Sequence, residues 1–161
     1  MFFGQVGRVA EALADAGEAV DLYRELVGQQ PETFRDDFAG SLNNLASLLS
    51  EVGRSAEALA AAGEGVALYR ELAKQQPEAY RPALAMSLNN LALRLRDVDR
   101  LAEAFEAAKE AVVIRRELVK KRPAVFQPKL KHSLDTLATI LRQLGKIGEA
   151  EAIEAELAGL G

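Results

Sequence analysis

SLNNLA, at residues 41–46, recurs unchanged at residues 87–92 and in altered form, as SLDTLA, at residues 133–138. Each copy begins 46 residues after the one before it. A fixed period of this size predicts one structural unit that is copied and stacked along the chain, rather than a single globular core.

Positions far outside this motif repeat with the same period. A turn-forming residue followed by a basic residue recurs at Gly7, Gly53, Asp99 and Gly145. Prolines recur at Pro31, Pro77 and Pro123, and LYREL at residues 22–26 recurs at 68–72 and as IRREL at 114–118. Because so many columns match, the period extends over the whole chain.

Each unit contains the pattern of two helices. In the unit that starts at residue 36, apolar side chains at helical spacing form one stripe, which consists of Phe38, Leu42, Leu45, Leu49 and Val52. Gly53 is expected to end this helix in the left-handed conformation, as is Asp99 one unit later. Ser55 is the expected N-cap of the second helix. Pro77 is expected to end that helix, with a break over residues 77–81 and a new helix that opens at Pro82.

The predicted fold is therefore all-α: a right-handed superhelical α-solenoid of stacked antiparallel helix pairs, with about seven helices. Residues 1–35 form a partial unit, mainly its second helix at about 9–30, and residues 36–81 and 82–127 form two repeats. Residues 128–161 form a C-terminal capping repeat, because four glutamates give its last helix the polar face that a terminal unit needs. Phe2, Phe3 and Val6 fall in the columns of the end of a first helix, which suggests that the array was cut from a longer one.

Composition excludes several classes of function. The 161 residues carry a formal net charge of −4 with both signs interspersed, which argues against nucleic acid or an anionic membrane as partner. There is no cysteine and only one histidine, so disulfides, thiol chemistry and the usual metal sites are not expected, and a reducing, cytoplasmic location fits. No glycine-rich phosphate loop is present, and no cofactor is expected.

His132, Ser133 and Asp135 lie close together in sequence but do not predict a catalytic triad. Neighbouring residues on a helix point in different directions, and triad members normally converge from separate segments. The chain is therefore not expected to be an enzyme.

The columns resemble those of the tetratricopeptide repeat family, whose usual unit is a helix–turn–helix of about 34 residues. The family's signature positions fall on Leu42, Leu45, Ala46, Leu49, Gly53, Ala58 and Ala62, although the usual large aromatic residues are replaced here by Leu42 and Ala62. The paired asparagines of LNNLA are similar to those in the repeats of kinesin light chains. Bacterial LNNLA arrays in large signalling proteins look closer still. The resemblance is specific for architecture and implies a protein-interaction scaffold.

A second set of columns lies opposite the apolar stripe of each first helix, and the resemblance places these columns along a concave groove. The predicted groove residues are Asn43, Ser47, Ser50, Met86, Asn89, Leu93, Arg96, His132, Asp135, Thr139 and Arg142. Arg54, Arg100 and Lys146 lie along one edge, where each also follows a helix C-terminus and would stabilise its dipole.

These side chains suit an extended peptide that carries acidic groups. Asn43 and Asn89 can each donate and accept hydrogen bonds from a peptide main chain, a role that the resemblance to kinesin light chains also implies for them. The alternative is that these amides bond to a neighbouring helix. Arg96 and Arg142 can receive carboxylates.

Two other functions stay open at this point. The first is self-assembly, for example as a homodimer through an apolar face of the N-terminal helix that no preceding helix covers. The second is a role as a regulatory sensor module in a larger bacterial signalling protein.

Overall fold

A computed structural model describes residues 2–161, with side chains from Gly4 onward. Over this range the chain forms seven helices. They are α1 (Phe2–Gln29), α2 (Pro31–Glu51), α3 (Ser55–Gln75), α4 (Pro77–Asp97), α5 (Leu101–Lys121), α6 (Pro123–Gln143) and α7 (Ile147–Gly159). None of these helices is both long and apolar enough to cross a membrane.

The helices stack in chain order. Every helix packs against the next, and the first helices of successive pairs, α2, α4 and α6, also contact one another. The second helices, α3, α5 and α7, make no contact with one another at the backbone level within the described range. The predicted all-α solenoid of stacked helix pairs is confirmed.

Small residues let the two helices of each pair approach closely. Ala58 and Ala62 on α3 are fully buried, as are Ala104 and Ala108 at the same columns of α5. Large side chains from the first helices, such as Leu88, fill the space between pairs. The buried residues form two clusters built from repeated columns, one over α1–α3 and one from α2 to α7, and the partly buried Leu68 and Leu91 pack against both.

The turns inside the pairs adopt the predicted conformation. Gly53 and Gly145 have φ values of 79° and 78°, and Asp99 reaches 60° at the same column. The predicted N-cap at Ser55 is wrong, because Arg54 is the N-cap residue and Ser55 is the first residue of α3.

The predicted break over residues 77–81 is also wrong. The helix begins at Pro77, and a single residue, Gln76, separates it from α3. Pro82 lies inside α4, and Pro128 lies inside α6 in the same way. Each proline leaves one helical carbonyl without its amide partner, but that carbonyl lies in the exposed first turn, where water can bond to it.

The turn expected at Gly7 does not form. Helix α1 runs through this glycine without interruption, and Gly7 is exposed. The residues before Gly7 are part of α1 itself, so the column of turn residues does not predict a turn at this position. The side chains of Phe2 and Phe3, which were expected to add to an apolar face, lie outside the described residues.

Candidate binding groove on the concave face

The contacts between helices show which side of the stack is the inner one. The first helices touch one another, whereas the second helices are splayed apart. In a curved stack the row with the closer spacing lies on the inside, because curvature follows from the rotation between units. Helices α2, α4 and α6 therefore form the concave wall.

Ion pairs bridge the splayed outer helices. Arg70 on α3 donates two hydrogen bonds to Glu110 on α5, at 2.6 and 3.1 Å. The same two-point pair recurs one unit earlier between Arg24 and Glu64 and one unit later between Arg116 and Glu156. The arginine of LYREL is thus a link between repeats, a role that the sequence analysis missed although the matching glutamate also recurs with the period.

The first asparagine of LNNLA lies in the junction between repeats. Asn43 is only 6% exposed, and its Oδ1 accepts a hydrogen bond from the hydroxyl of Ser87 on α4, at 3.1 Å. Its amide passes over Gly65 of α3 so closely that a Cβ there would lie 2.8 Å from Oδ1. The Nδ2 group is enclosed without a partner.

Asn89, one unit later, is 1% exposed, and its Oδ1 is enclosed without a donor. Asp135 occupies this column in the last described unit and is exposed, since the described residues contain no first helix packed beyond α6. The column therefore faces the next repeat. In the free chain the two asparagines fill junctions, and their pairing with a peptide stays a prediction.

The second asparagine of the motif faces the opposite way. Asn44, on the described first helix that no other first helix precedes, is exposed, whereas Asn90 is half-buried and Thr136 is buried on helices that follow another first helix. This column therefore faces the previous repeat. The two asparagines of LNNLA point to the two neighbours of each first helix, and the concave surface lies between them.

Met86 and Leu93 occupy that intermediate surface on α4. They are seven residues apart and so share a face of the helix. Met86 is 38% exposed and Leu93 is half-buried. Ser47 of α2 is half-buried in the column of Leu93, and His132 of α6 is exposed in the column of Met86. These residues form a wall with an apolar centre.

Arg96 is the predicted groove cation that has no acidic partner among the described side chains. It is half-buried near the end of α4. Ser50, at the same column of α2, donates a hydrogen bond to Asp97 Oδ2 of α4 at 3.2 Å, so its hydroxyl is used between repeats. The guanidinium N–H groups of Arg96 are therefore available to another group.

The last unit arranges its predicted residues differently. Arg142 forms a two-point ion pair with Glu154 of α7, at 2.7 and 3.1 Å, and this hydrogen bonding raises the pKa of Arg142. Thr139 donates to the carbonyl of Asp135 at 2.9 Å. These three predicted residues line a small cavity against α7, at the C-terminal end of the stack.

The three cations at the turns are also engaged. Arg54 pairs with Glu57 and Arg100 pairs with Glu103, each in the first turn of the following helix. Lys146 lies over the ring of Phe105, with its Nζ 4.9 Å from the centroid. Arg54 and Arg100 are thus fixed to their own repeats, whereas Lys146 contacts a side chain of the preceding repeat.

A residue that the sequence analysis did not single out, Arg115, lies under the concave wall. It is 5% exposed, and its Nη1 donates to the carbonyl of Lys129 at 2.9 Å and to Ser133 Oγ at 2.5 Å. Burial lowers the pKa of Arg115 to about 10, so it is still charged at neutral pH. Tyr69 occupies the same column one unit earlier. This change from tyrosine to arginine is the sequence feature from which a buried arginine could have been predicted.

A larger cavity lies on the outer face instead. It has a volume of about 1040 Å³ between α3 and α5, with Leu88, Leu91 and Leu95 of α4 as its floor. The charged residues on its rim are paired with one another, as in Arg70 with Glu110, so the cleft offers no free charge to orient a ligand. Within the described residues, no cluster of histidine and carboxylate side chains is arranged to hold a metal ion.

Comparisons with known proteins agree with this architecture. The sequence profile described as "Tetratricopeptide repeat" matches residues 2–35, 38–77 and 84–123. No curated protein sequence matches the chain.

Among solved structures, BtubC (BKLC) from P. vanneervenii superposes with a TM-score of 0.67 at 23% identity, over 94% of this chain and 56% of that one. A putative kinesin light chain with nearly identical TPR-like repeats from Podosopora anserina superposes with a TM-score of 0.62 at 21% identity, over 91% of this chain and 67% of that one. A single-residue variant of the same protein gives 0.63 with the same coverage. The chain thus spans little more than half the length of the first of these proteins.

Proposed function

Because the chain belongs to the tetratricopeptide repeat family, whose members generally serve as protein-interaction scaffolds, we propose that it binds an extended peptide segment of a partner protein along its concave face. The wall formed by α2, α4 and α6 is the proposed site. No catalytic step is part of this proposal.

One observation carries it: the exposed side chains of Met86 and His132, with Leu93 and Ser47 beside them, follow one line across three successive first helices. An exposed apolar centre with polar groups on either side suits a peptide whose side chains alternate between the wall and solvent. Stacked helices present this line as a rigid surface, which lowers the entropic cost of binding.

Arg96 supplies the orienting charge in this proposal. It has no acidic partner among the described side chains, and a guanidinium matches a carboxylate in two-point geometry. A bound peptide with an acidic residue near the end of α4 would pair with it. Asn44, Asn90 and Thr139, each at least partly accessible, can bond to the peptide main chain.

Selection from a library of random twelve-residue peptides tests the proposal. The protein would be compared with a Met86→Ser/Leu93→Ser/Arg96→Ala variant whose helix content and melting temperature are first shown to match. We expect peptides that bind the native chain and are lost in this variant. The matched control is Val113→Ser, which changes an exposed apolar residue of the outer cleft and should leave the same peptides bound.

Peptides that bind both the native chain and the concave-face variant, but not Val113→Ser, would move the site to the outer cleft. A library that yields no peptide with either protein would contradict the proposal.

Self-assembly through α1 has less support. Val6 and Leu22 are 65% and 61% exposed. They lie 16 residues apart, which places them roughly 160° apart around the helix axis. The two strongly exposed apolar side chains of α1 therefore do not lie on one face. A mass by light scattering that stays at one chain, 17.4 kDa, across a hundredfold range of concentration would exclude the homodimer.

A further inference from the structure

One column changes its chemistry between repeats in the buried layer beneath the concave wall. The column holds Tyr23 on α1, Tyr69 on α3 and Arg115 on α5. Arg115 is as deeply buried as Tyr69, each with 5% of its surface exposed. A tyrosine brings one neutral hydroxyl to this depth, whereas the arginine brings a full positive charge.

The charge of Arg115 has no counterion in the described chain. Its two hydrogen bonds go to neutral oxygens, the carbonyl of Lys129 and the hydroxyl of Ser133. Buried charges in proteins are normally paired, because desolvating an isolated ion is costly. The column therefore holds a cation without the partner that burial would ordinarily require.

The acidic groups of this layer lie one repeat away. Burial raises the pKa of the Tyr69 hydroxyl, and the negative charges of Asp36 and Asp37 on α2 raise it further. The same two columns on α4, beside Arg115, hold Pro82 and Ala83. The repeat that gained the cation has lost both carboxylates.

The neighbouring part of α6 adds positive charge rather than compensating for it. Lys129 and His132 are exposed there, and Lys131 is half-buried. Asp135 is the only acidic residue of α6, and the first turn of the helix contains none. The N-terminal half of α6 and Arg115 thus form one positive region at this end of the concave wall.

Arg115 also has hydrogen-bond donors that are not used within the described chain. Both of its bonds use Nη1, so Nε and Nη2 have no protein acceptor within the described chain. Nδ2 of Asn43 is unpaired and fully enclosed by the protein. Nε and Nη2 of Arg115 are not fully enclosed, so a ligand can reach them. An Nε–Nη2 edge with both hydrogens unused is the edge that binds a carboxylate through two parallel hydrogen bonds.

We propose that Arg115, with Lys129 and His132 at the surface, forms a receptor for a carboxylate group between α4 and α6. The carboxylate belongs to the bound peptide, so this assignment rests on the proposed function for its source. It goes beyond that function by stating where the acidic part of the peptide binds. That part lies over α6, away from Asp36 and Asp37 on α2.

Nuclear magnetic resonance of the arginine side chains tests the receptor without knowledge of the natural ligand. The Nε–Hε signal of Arg115 would be identified by its absence in Arg115→Tyr, a variant that places in this column the residue found there in two other units. The native chain would then be titrated with acetyl-Glu-Glu-Glu-amide and with acetyl-Gln-Gln-Gln-amide at equal ionic strength.

We expect the glutamate peptide to shift the Arg115 signal to saturation and the glutamine peptide to leave it unchanged. Affinity for the glutamate peptide should fall about tenfold or more in Arg115→Tyr, since a charge-assisted two-point contact is lost. A third probe, acetyl-Gln-Gln-Gln with a free C-terminal carboxylate, separates a terminal carboxylate from a side-chain carboxylate as the bound group.

An Arg115 signal that does not respond to any carboxylate probe overturns the receptor. A response of equal size at the outer-face arginines Arg24 and Arg70 also overturns it, because that pattern indicates general screening of charge. If the library yields no peptide but Arg115 responds with saturation, the receptor stands and the peptide groove fails. If library peptides bind native chain and Arg115→Tyr equally, the groove stands and the receptor fails.

Discussion

Two junctions between repeats, built from the same columns, differ in how they satisfy their polar groups. At the junction of α2 and α4, Asn43 passes over Gly65 and bonds to Ser87. At the junction of α4 and α6, Ala111 takes the column of the glycine, and Asn89 is left with an enclosed, unpaired oxygen.

The serine at this second junction, Ser133, accepts a hydrogen bond from the buried Arg115 instead. The backbone and the apolar columns are the same at both places. The comparison teaches that the period specifies the stack, whereas departures from it change the polar chemistry of a single junction. Under our proposal, the junction that departs is the one that binds the carboxylate.

The largest effect should come from overpacking inside a helix pair, and it should be the same in the two pairs that flank these junctions. Ala58→Leu and Ala104→Leu each insert a large side chain where an alanine is fully buried, and each should lower the free energy of unfolding by about 1–3 kcal/mol. Chemical denaturation followed by circular dichroism measures it. Ala56→Leu, at a more accessible position of the same helix as Ala58, is the control and should be close to neutral. Equal stability of all three variants would show that the helix register is wrong.

Substitution of the asparagine should lower stability by different amounts at the two junctions. Each asparagine has one enclosed atom without a partner, but only Asn43 also accepts a hydrogen bond, from Ser87. Asn43→Ala should therefore cost about 1–2 kcal/mol, whereas Asn89→Ala, which removes no side-chain hydrogen bond, should cost less than about 0.5 kcal/mol. A double-mutant cycle with Ser87→Ala should assign about 0.5–1.5 kcal/mol of the first loss to the Asn43–Ser87 hydrogen bond. A larger loss for Asn89→Ala than for Asn43→Ala would reverse this account of the junctions.

Removing the buried charge should stabilise the second junction. Arg115→Met keeps most of the side-chain length and should raise the free energy of unfolding by about 1 kcal/mol, because an unpaired cation no longer has to be desolvated. A loss of stability at neutral pH would show that the two hydrogen bonds of Arg115 outweigh the cost of burying its charge.

The same pair of proteins has a predicted pH dependence. The pKa of Arg115 is lowered to about 10 in the folded chain, so above that pH the unfolded chain binds more protons than the folded one. The stability of the native chain relative to Arg115→Met should therefore rise above pH 10, and the advantage of the variant should shrink. Below this range the difference between the two proteins should be independent of pH.

The smallest effect should come from the outer ion pairs. Arg70→Ala should cost about 0.2–1 kcal/mol, since Arg70 and Glu110 are both substantially exposed and water screens them. The loss should disappear in about 1 M salt, where the screening length falls to about 3 Å. A loss that persists at high salt would mean that Arg70 acts through packing of its aliphatic part rather than through its charge.

The sequence predicted those features that depend on local pattern. The period, the helix pairs, the left-handed turn residues and the buried alanine columns all follow from residue type and spacing, and the structure contains them. The predicted start of α4 was wrong because both Pro77 and Pro82 suit the first turn of a helix. The helix can begin at Pro77 because its first turn is exposed, so water can bond to the carbonyl that Pro82 leaves without an amide partner. Such exposure depends on the neighbouring helices.

The polar residues were harder to place for a related reason. Helical spacing shows that Asn43 lies opposite Leu45, but not that the next repeat covers it and bonds to it through Ser87. The turn cation Arg54 could be assigned to its own repeat because its place after a helix C-terminus is a local feature. Arg115 was missed because arginine suits any exposed helix position, and only comparison with Tyr69 in the same column shows that the position is buried.

The most direct test of the concave groove uses Met86, because the chain contains only one other methionine, Met1. Methyl-¹³C methionine labelling gives two signals, and Met86→Leu identifies the one that belongs to the concave wall. Titration with a library-selected peptide should shift the Met86 methyl signal to saturation, with an affinity equal to that from calorimetry. An unchanged Met86 signal during saturable binding, together with shifts of labelled Val113 in the outer cleft, would contradict the account.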